Sequence, residues 1–242
     1  MKITNRYNLP EEIVNAVKND EYSRGDSDIS ISGLINPPQI TTLMERHDKE
    51  IQIDASDHGW ILLGKAVHKI FEAGTTDTEA TVEKRLFAQV GGWKISGQFD
   101  ICKGKLIRDY KCSGVYSVIG PPKPEWEAQL NSYAWLAHLN QIEVNELEIQ
   151  VFIRDFMKSK VGVKPGYPPT MFHKVGIPMW PLQVADEFLQ ERVRLHRESR
   201  QLSDEAISRQ FPCSDSERWK NNIRCREYCA VGKNNLCKQL TH

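Results

Sequence analysis

Apolar residues recur along this chain with two periods, and the switches between them outline its elements. A stripe with helical spacing runs through HGWILLGKAVHKIFEAG, residues 58–74, and predicts a helix that stops at Gly74. Residues 10–19, PEEIVNAVKN, predict a short helix opening at Pro10. SDISISGLINPPQITTLMERH reads as a short extended piece, a turn at Pro37-Pro38 and a helix. Three strand-like runs follow, at 82–90, 93–102 and 105–112. Residues 123–139 return to helical spacing, with Trp126, Leu130, Ala134 and His138 on one stripe. ELEIQVFIRDF, 146–156, predicts a further strand, and the Pro/Gly-rich 159–181 a loop or a pair of short extended pieces. Pro181 opens an amphipathic helix that runs roughly to Leu202, and a cysteine-rich tail follows. Helices bracketing strands in this order predict an α/β domain whose sheet carries helices on both faces.

Composition narrows the class without naming it. The 242 residues are 40% hydrophobic and 26% charged, as in an ordinary globular chain. No internal repeat or low-complexity tract stands out. The formal net charge of zero gives no global basic signal, though a local basic channel is compatible with a neutral total. No apolar run reaches the ~20 residues of a membrane span. The start MKITNRYNLPEE lacks the apolar region of a signal peptide, so an intracellular, cytoplasmic protein is expected. The six cysteines are not spread as a disulfide framework: Cys213, Cys225, Cys229 and Cys237 crowd the last thirty residues, which favours metal over disulfides.

The candidate chemistry lies in GQFDICKGKLIRDYKCS, residues 97–113. Taking Lys103-Gly104 as a two-residue turn places Asp100 opposite Ile107 and Gln98 opposite Asp109. Gln98, Asp100, Asp109 and Lys111 then share one face, while Ile95, Phe99, Ile101, Leu106 and Tyr110 make an apolar face. Asp100 and Asp109 become diagonal neighbours ~7–8 Å apart, a reach over which two carboxylates can share a hard divalent cation. Lys111 would stand beside the ion. The competing reading is a solvated sheet face with Asp and Lys in ion pairs. The parity requires an even-length loop.

Asp100 followed by Asp109-x-Lys111 resembles the PD-(D/E)XK nuclease superfamily. His68 in GKAVHKIFE resembles the histidine-bearing helix of its RecB-like branch, GQFD its Gly-x-x-Asp strand, and Gln129 with Tyr133 its Gln-x-x-x-Tyr helix. SISGLINPPQ and the ERW…RCREYC tail are similar to bacteriophage members, among them exonucleases. The resemblance implies a restriction-endonuclease-like core: a central mixed sheet flanked by helices, in one nuclease domain over 1–207 with an N-terminal helical extension. A Cys-rich C-terminal tail over 208–242 would pack on or beside it. The implied activity is Mg²⁺- or Mn²⁺-dependent hydrolysis of DNA phosphodiester bonds, in phage recombination or repair. Asp100 and Asp109 would hold the metal, joined by His68 and the Tyr110 backbone carbonyl. Lys111 would position or help deprotonate water and stabilise the transition state. Gln129 and Tyr133 would meet the phosphate or the DNA backbone. Glu83 lies where many relatives carry an acidic residue on the first strand. Packing alone offers a second account of His68, Gln129 and Tyr133, and an exposed strand position one of Glu83.

Two further stretches invite a chemical reading. GWILLGKA, residues 59–66, spells most of a phosphate-binding loop, but Ala66 replaces the Mg²⁺-binding hydroxyl and Trp60, Ile61, Leu62 and Leu63 are bulky. It reads as the start of the His68 helix. Cys213, Cys225, Cys229 and Cys237 could hold zinc or an iron–sulfur cluster. Iron–sulfur relatives in the superfamily place one cysteine ahead of the core and three behind, whereas here all four follow it. DNA is the expected partner, with a recombinase or a single-strand-binding protein as a further one, and no sequence feature sets an oligomeric state. The alternatives to an exonuclease are a structure-specific endonuclease and a non-catalytic nucleic-acid-binding protein that uses the tail.

Overall fold

The computed structural model describes residues 1–19, 23–76 and 80–240. The chain opens with β1 (Lys2–Thr4) and α1 (Glu11–Lys18), the latter with Glu11 and Glu12 in its first turn and Lys18 in its last, as the helix dipole favours. Then come β2 (Ile29–Ser30), a short helix α2 (Ile31–Ile35), α3 (Pro38–Arg46) with Pro38 in its first turn, and β3 (Gln52–Asp54). The helix α4 (Gly59–Ala73) ends at Gly74 as expected, and GWILLGKA is helical throughout. The strands β4 (Thr81–Val82), β5 (Arg85–Val90), β6 (Trp93–Gln98), β7 (Ile101–Lys103) and β8 (Leu106–Ser113) follow. The order closes with α5 (Pro124–Leu139), β9 (Glu146–Ile153), β10 (Phe172–Ile177), α6 (Leu182–Ser199), α7 (Asp204–Gln210), α8 (Asp215–Arg218) and α9 (Ala230–Lys233). The architecture is α/β, with mixed sheets flanked by helices.

The described residues fall into two compact units. One draws on Met1–Ser23, Ser32–Trp60 and Gln190–His242, the other on Arg24–Ile31 and Ile61–Leu189. The first unit pairs β1 with β3 in parallel and packs Ile40, Leu43 and Ile51 with Cys213, Cys229 and Val231. Arg192 donates from Nε to Leu34 O (2.6 Å) and from an Nη to Asn36 O (2.5 Å), satisfying carbonyls left over where α2 ends. The fully buried His196 approaches the same Leu34 carbonyl through Nε2 at 3.0 Å.

The second unit holds a five-stranded sheet, ordered β10-β9-β8-β7-β4, and a three-stranded sheet, ordered β2-β6-β5. β8 and β9 run parallel, as do β2 and β6; the other pairs are antiparallel. β9 buries every second side chain, Leu147, Ile149, Val151 and Ile153, the signature of a strand with one face in the core. α5 is buried along most of its length rather than on one stripe. It approaches β6 at Gly97, where an added Cβ would sit 2.6 Å from Leu136 Cδ1 and 2.9 Å from the Tyr133 ring.

The hairpin departs from its expected form in two ways. The runs 82–90 and 93–102 are each broken, at Glu83-Lys84 and at Phe99-Asp100, so each contributes strands to both sheets of the unit. Gln98 therefore pairs with Arg85, not with Asp109. The register is also shifted by two: Ile101 faces Arg108 and Lys103 faces Leu106, leaving Gly104-Lys105 as the connection. Gly104 has φ +58°, the backbone that the first central position of a tight hairpin turn demands. A shift of two preserves the alternation within the paired stretch of β7 and β8, while Asp100 lies one residue ahead of it, at the break, where it accepts from the Tyr110 amide.

Candidate active site

Asp109 sits mid-strand in β8, paired with Ile149 of the parallel β9 and one residue past Arg108, where the antiparallel ladder with β7 ends. It is 2% exposed. Its Oδ2 lies 2.5 Å from Lys111 Nζ, an ion pair, yet has no well-directed hydrogen bond. Gln129 Nε2 approaches Oδ1 at 3.5 Å. Burial pushes the Asp109 carboxyl up to about 6; Lys111 and His68 oppose that rise and the charge of Asp100 adds to it.

Asp100 lies at the break between β6 and β7, outside the ladder. One oxygen accepts from the Tyr110 amide at 2.6 Å, and the other is 3.4 Å from His68 Nδ1 on α4. Burial pulls the His68 pKa down, but the bond to Asp100 and the charges of Asp100 and Asp109 outweigh it, so the net direction is up. The His68 ring stands edge-on to Tyr110, centroids 6.1 Å apart. On α5, Gln129 donates to the Tyr133 hydroxyl at 2.8 Å, the one-turn spacing that puts both on one helix face.

Contacts within one unit join His68 to Asp100, and Lys111, Gln129 and, through Gln129, Tyr133 to Asp109; the charge of Asp109 also reaches His68. The Tyr110 group seen to engage Asp100 is its amide, not the carbonyl expected to bind metal. Glu83 borders a shallow depression with His68, Glu72, Asp100 and Tyr110. It has φ +45°, a strained backbone for a non-glycine residue, and its amide donates to Asp100 O at 3.0 Å. Glu72 is the acid that sequence reasoning missed; its place one helical turn after His68 was the available signal.

Two carboxylates and an imidazole are the donor types a hard or borderline divalent cation takes, and the Asp109 Oδ2 now paired with Lys111 is an oxygen such an ion would take. Among the described residues, no three His, Cys, Asp or Glu side chains converge as a ready-made metal cage. Lys111 instead supplies the positive charge at Asp109.

In the other unit the tail cysteines are all thiols. Cys213 and Cys229 are buried, and Cys237 packs against the same cluster. Gln39 Nε2 approaches Cys213 Sγ at 3.4 Å. Burial pushes the Cys213 thiol up to about 12, and Cys225, raised chiefly by burial, also feels Cys229.

No protein-family model and no curated protein matches the sequence. Among solved structures, the chain is similar to the crystal structure of SSO0001, with TM-score 0.57 and 16% identity over 91% of this chain and 92% of that one. The two share a fold. A second similarity, to a protein of Eubacterium rectale named as a candidate exonuclease, has TM-score 0.48 and 14% identity over 78% of this chain and 87% of that one. Among the described residues no helix is long and apolar enough to cross a membrane.

Proposed function

We propose that this protein hydrolyses DNA phosphodiester bonds with a divalent cation, acting from DNA ends as an exonuclease in phage recombination or repair. The observation that carries the reading is the buried Asp109–Lys111 pair, which Gln129 approaches, beside Asp100, held by the Tyr110 amide and approached by His68. An isolated buried carboxylate is costly, and a fold that keeps one beside a lysine and a second acid has the makings of a charge-handling site. The resemblance of the same residues to the PD-(D/E)XK motif supports the assignment.

Asp100, Asp109 and His68 would hold Mg²⁺ or Mn²⁺, which when bound would supply Lewis acidity and offset the charge of the phosphate. Lys111 would donate to the negative charge that develops on the phosphoryl oxygens and orient an attacking water. The Tyr110 amide holds Asp100 in one rotamer, and the Tyr133 hydroxyl holds the Gln129 amide, so that positioning costs little at the moment of reaction. In the same proposal Cys213, Cys225, Cys229 and Cys237 are the donors of a zinc or iron–sulfur site in the tail. The Gln39 contact to Cys213 supports this, because sulfur bound to a metal accepts such donors.

The test is cleavage of end-labelled linear DNA and closed circular DNA with Mg²⁺ or Mn²⁺, with Lys111→Ala beside the wild type. The expected result is loss of linear DNA from its ends and a fall of about 100-fold or more in Lys111→Ala. Equal cutting by the variant sinks the site. Opening of circles converts the reading to endonuclease, and binding without turnover in any metal favours a non-catalytic nucleic-acid-binding protein.

A further inference from the structure

Charge is balanced over the whole chain but not along it. Residues 110–124 and 156–185 contain six lysines (Lys111, Lys123, Lys158, Lys160, Lys164 and Lys174) and no Asp or Glu, in a protein with 32 of each sign. These two acid-free stretches meet. Arg154 N donates to Ser113 O at 3.0 Å and Val115 N donates to Asp155 Oδ1 at 2.7 Å, which ties the loop after β9 to the segment leaving β8. Within the loop, Met157 N donates to the Tyr167 hydroxyl at 2.7 Å, and the Phe156 and Tyr167 rings lie 5.8 Å apart.

At this junction Lys164 Nζ donates to the Tyr116 hydroxyl at 2.7 Å and lies 4.1 Å from the ring centroid. The lysine fixes the ring, yet Tyr116 remains 73% exposed. Lys158 and Lys160 are exposed on the same loop. Tyr116 follows Lys111 by five residues, no more than about 18 Å even along a fully extended chain. A pinned, exposed aromatic ring among lysines is the combination that holds a single strand: bases stack on the ring and phosphates meet the ammonium groups.

We infer that Tyr116, with Lys158, Lys160 and Lys164, forms a platform that binds single-stranded DNA beside the candidate active site. The inference rests on the nuclease reading for its role and deepens it by naming the form of the substrate. The strand held there is the one leading to or from the scissile phosphate. Duplex DNA gains less from the platform, because its bases already stack on one another and present no free face to Tyr116.

The experiment is fluorescence anisotropy in EDTA with a labelled oligothymidylate of about 16 nucleotides, and with a duplex of the same length. Wild type, Tyr116→Ala and the triple variant Lys158→Gln/Lys160→Gln/Lys164→Gln are compared, the altered side chains being at or near the surface. Tyr116→Ala should raise Kd for the single strand by roughly 5- to 100-fold, with a smaller change for duplex. The triple variant should flatten the log–log salt dependence by about 2, at ~0.7 per lost phosphate contact. Unchanged single-strand affinity in both variants overturns the platform, as does an equal loss for single strand and duplex in Tyr116→Ala. The two ideas fail separately. A wild type that binds the oligomer tightly but cleaves nothing with Mn²⁺ keeps the platform and removes the nuclease. A wild type that cleaves, with binding indifferent to these substitutions, does the reverse.

Discussion

Asp109 and His196 are both buried ionisable groups, and burial drives each toward its neutral form. Asp109 is held beside Lys111, so part of the desolvation cost is offset by an ion pair. Among the described residues Arg192 and Arg200 are the charges that His196 feels, and its Nδ1 is buried without a hydrogen-bond partner. Burial, then Arg192, lowers its pKa to about 4, against contrary pulls from the Leu34 and Asn36 carbonyls. The unfolded chain takes up this proton near pH 6.5, whereas the folded one resists to about 4. The stability His196 contributes by staying neutral is therefore fully present above pH 6.5 and lost as pH falls toward 4, on the order of 3 kcal/mol across the window. Urea unfolding of wild type and His196→Gln across that range checks it: the variant should lack this part of the acid-side decline. Parallel pH curves would show that the histidine titrates alike in both states.

At the scale of elements, the contact of α5 with β6 ties packing to chemistry. Gly97 lets the helix approach until Leu136 and the Tyr133 ring fill the space a Cβ would take. Tyr133 in turn accepts the hydrogen bond that holds Gln129 near Asp109. Gly97→Ala should therefore destabilise the fold by about 1–3 kcal/mol through overpacking and lower cleavage beyond what the lost stability explains. Calorimetry with a cleavage assay well below Tm separates the two effects; unchanged Tm and rate would mean that the helix accommodates the methyl freely. The hairpin shows why such details escape a linear reading. The turn expected from the sequence is Lys103-Gly104. The observed one puts Gly104 first, where positive φ is required, and moves the register by two. The helices at 59–73 and 124–139 and the strand at 146–153 were legible because each carries its own period or punctuation. The short β1, β3 and β4 hold two or three residues each, too few to show any period.

At the scale of the whole molecule, the proposed metal of the tail is tested through stability. Cys213 and Cys229 lie in the core shared with Ile40, Leu43 and Ile51, so donors for the proposed metal are also packing residues. A structural four-thiolate metal contributes directly to folding free energy. Elemental analysis of the purified protein should find zinc or iron bound, and Cys225→Ala, altering a less buried thiol, should lose the metal and unfold at lower temperature. A metal-free wild type with unaltered stability would leave the cysteines as apolar filling.

The sequence by itself determined the α/β order, the alternation that puts Asp109 and Lys111 on one face of a strand, and the helical pairing of Gln129 with Tyr133. These follow from local periodicities of 2 and 3.6, which any short window displays. Tertiary structure decided the breaks at Glu83 and Asp100, the two-residue shift of register, the hold of the Tyr110 amide on Asp100, the approach of His68, and the meeting of the two lysine-bearing stretches at Tyr116. Those depend on contacts between residues 10 to 48 positions apart, made only once strands pair and helices pack, and no local pattern carries them.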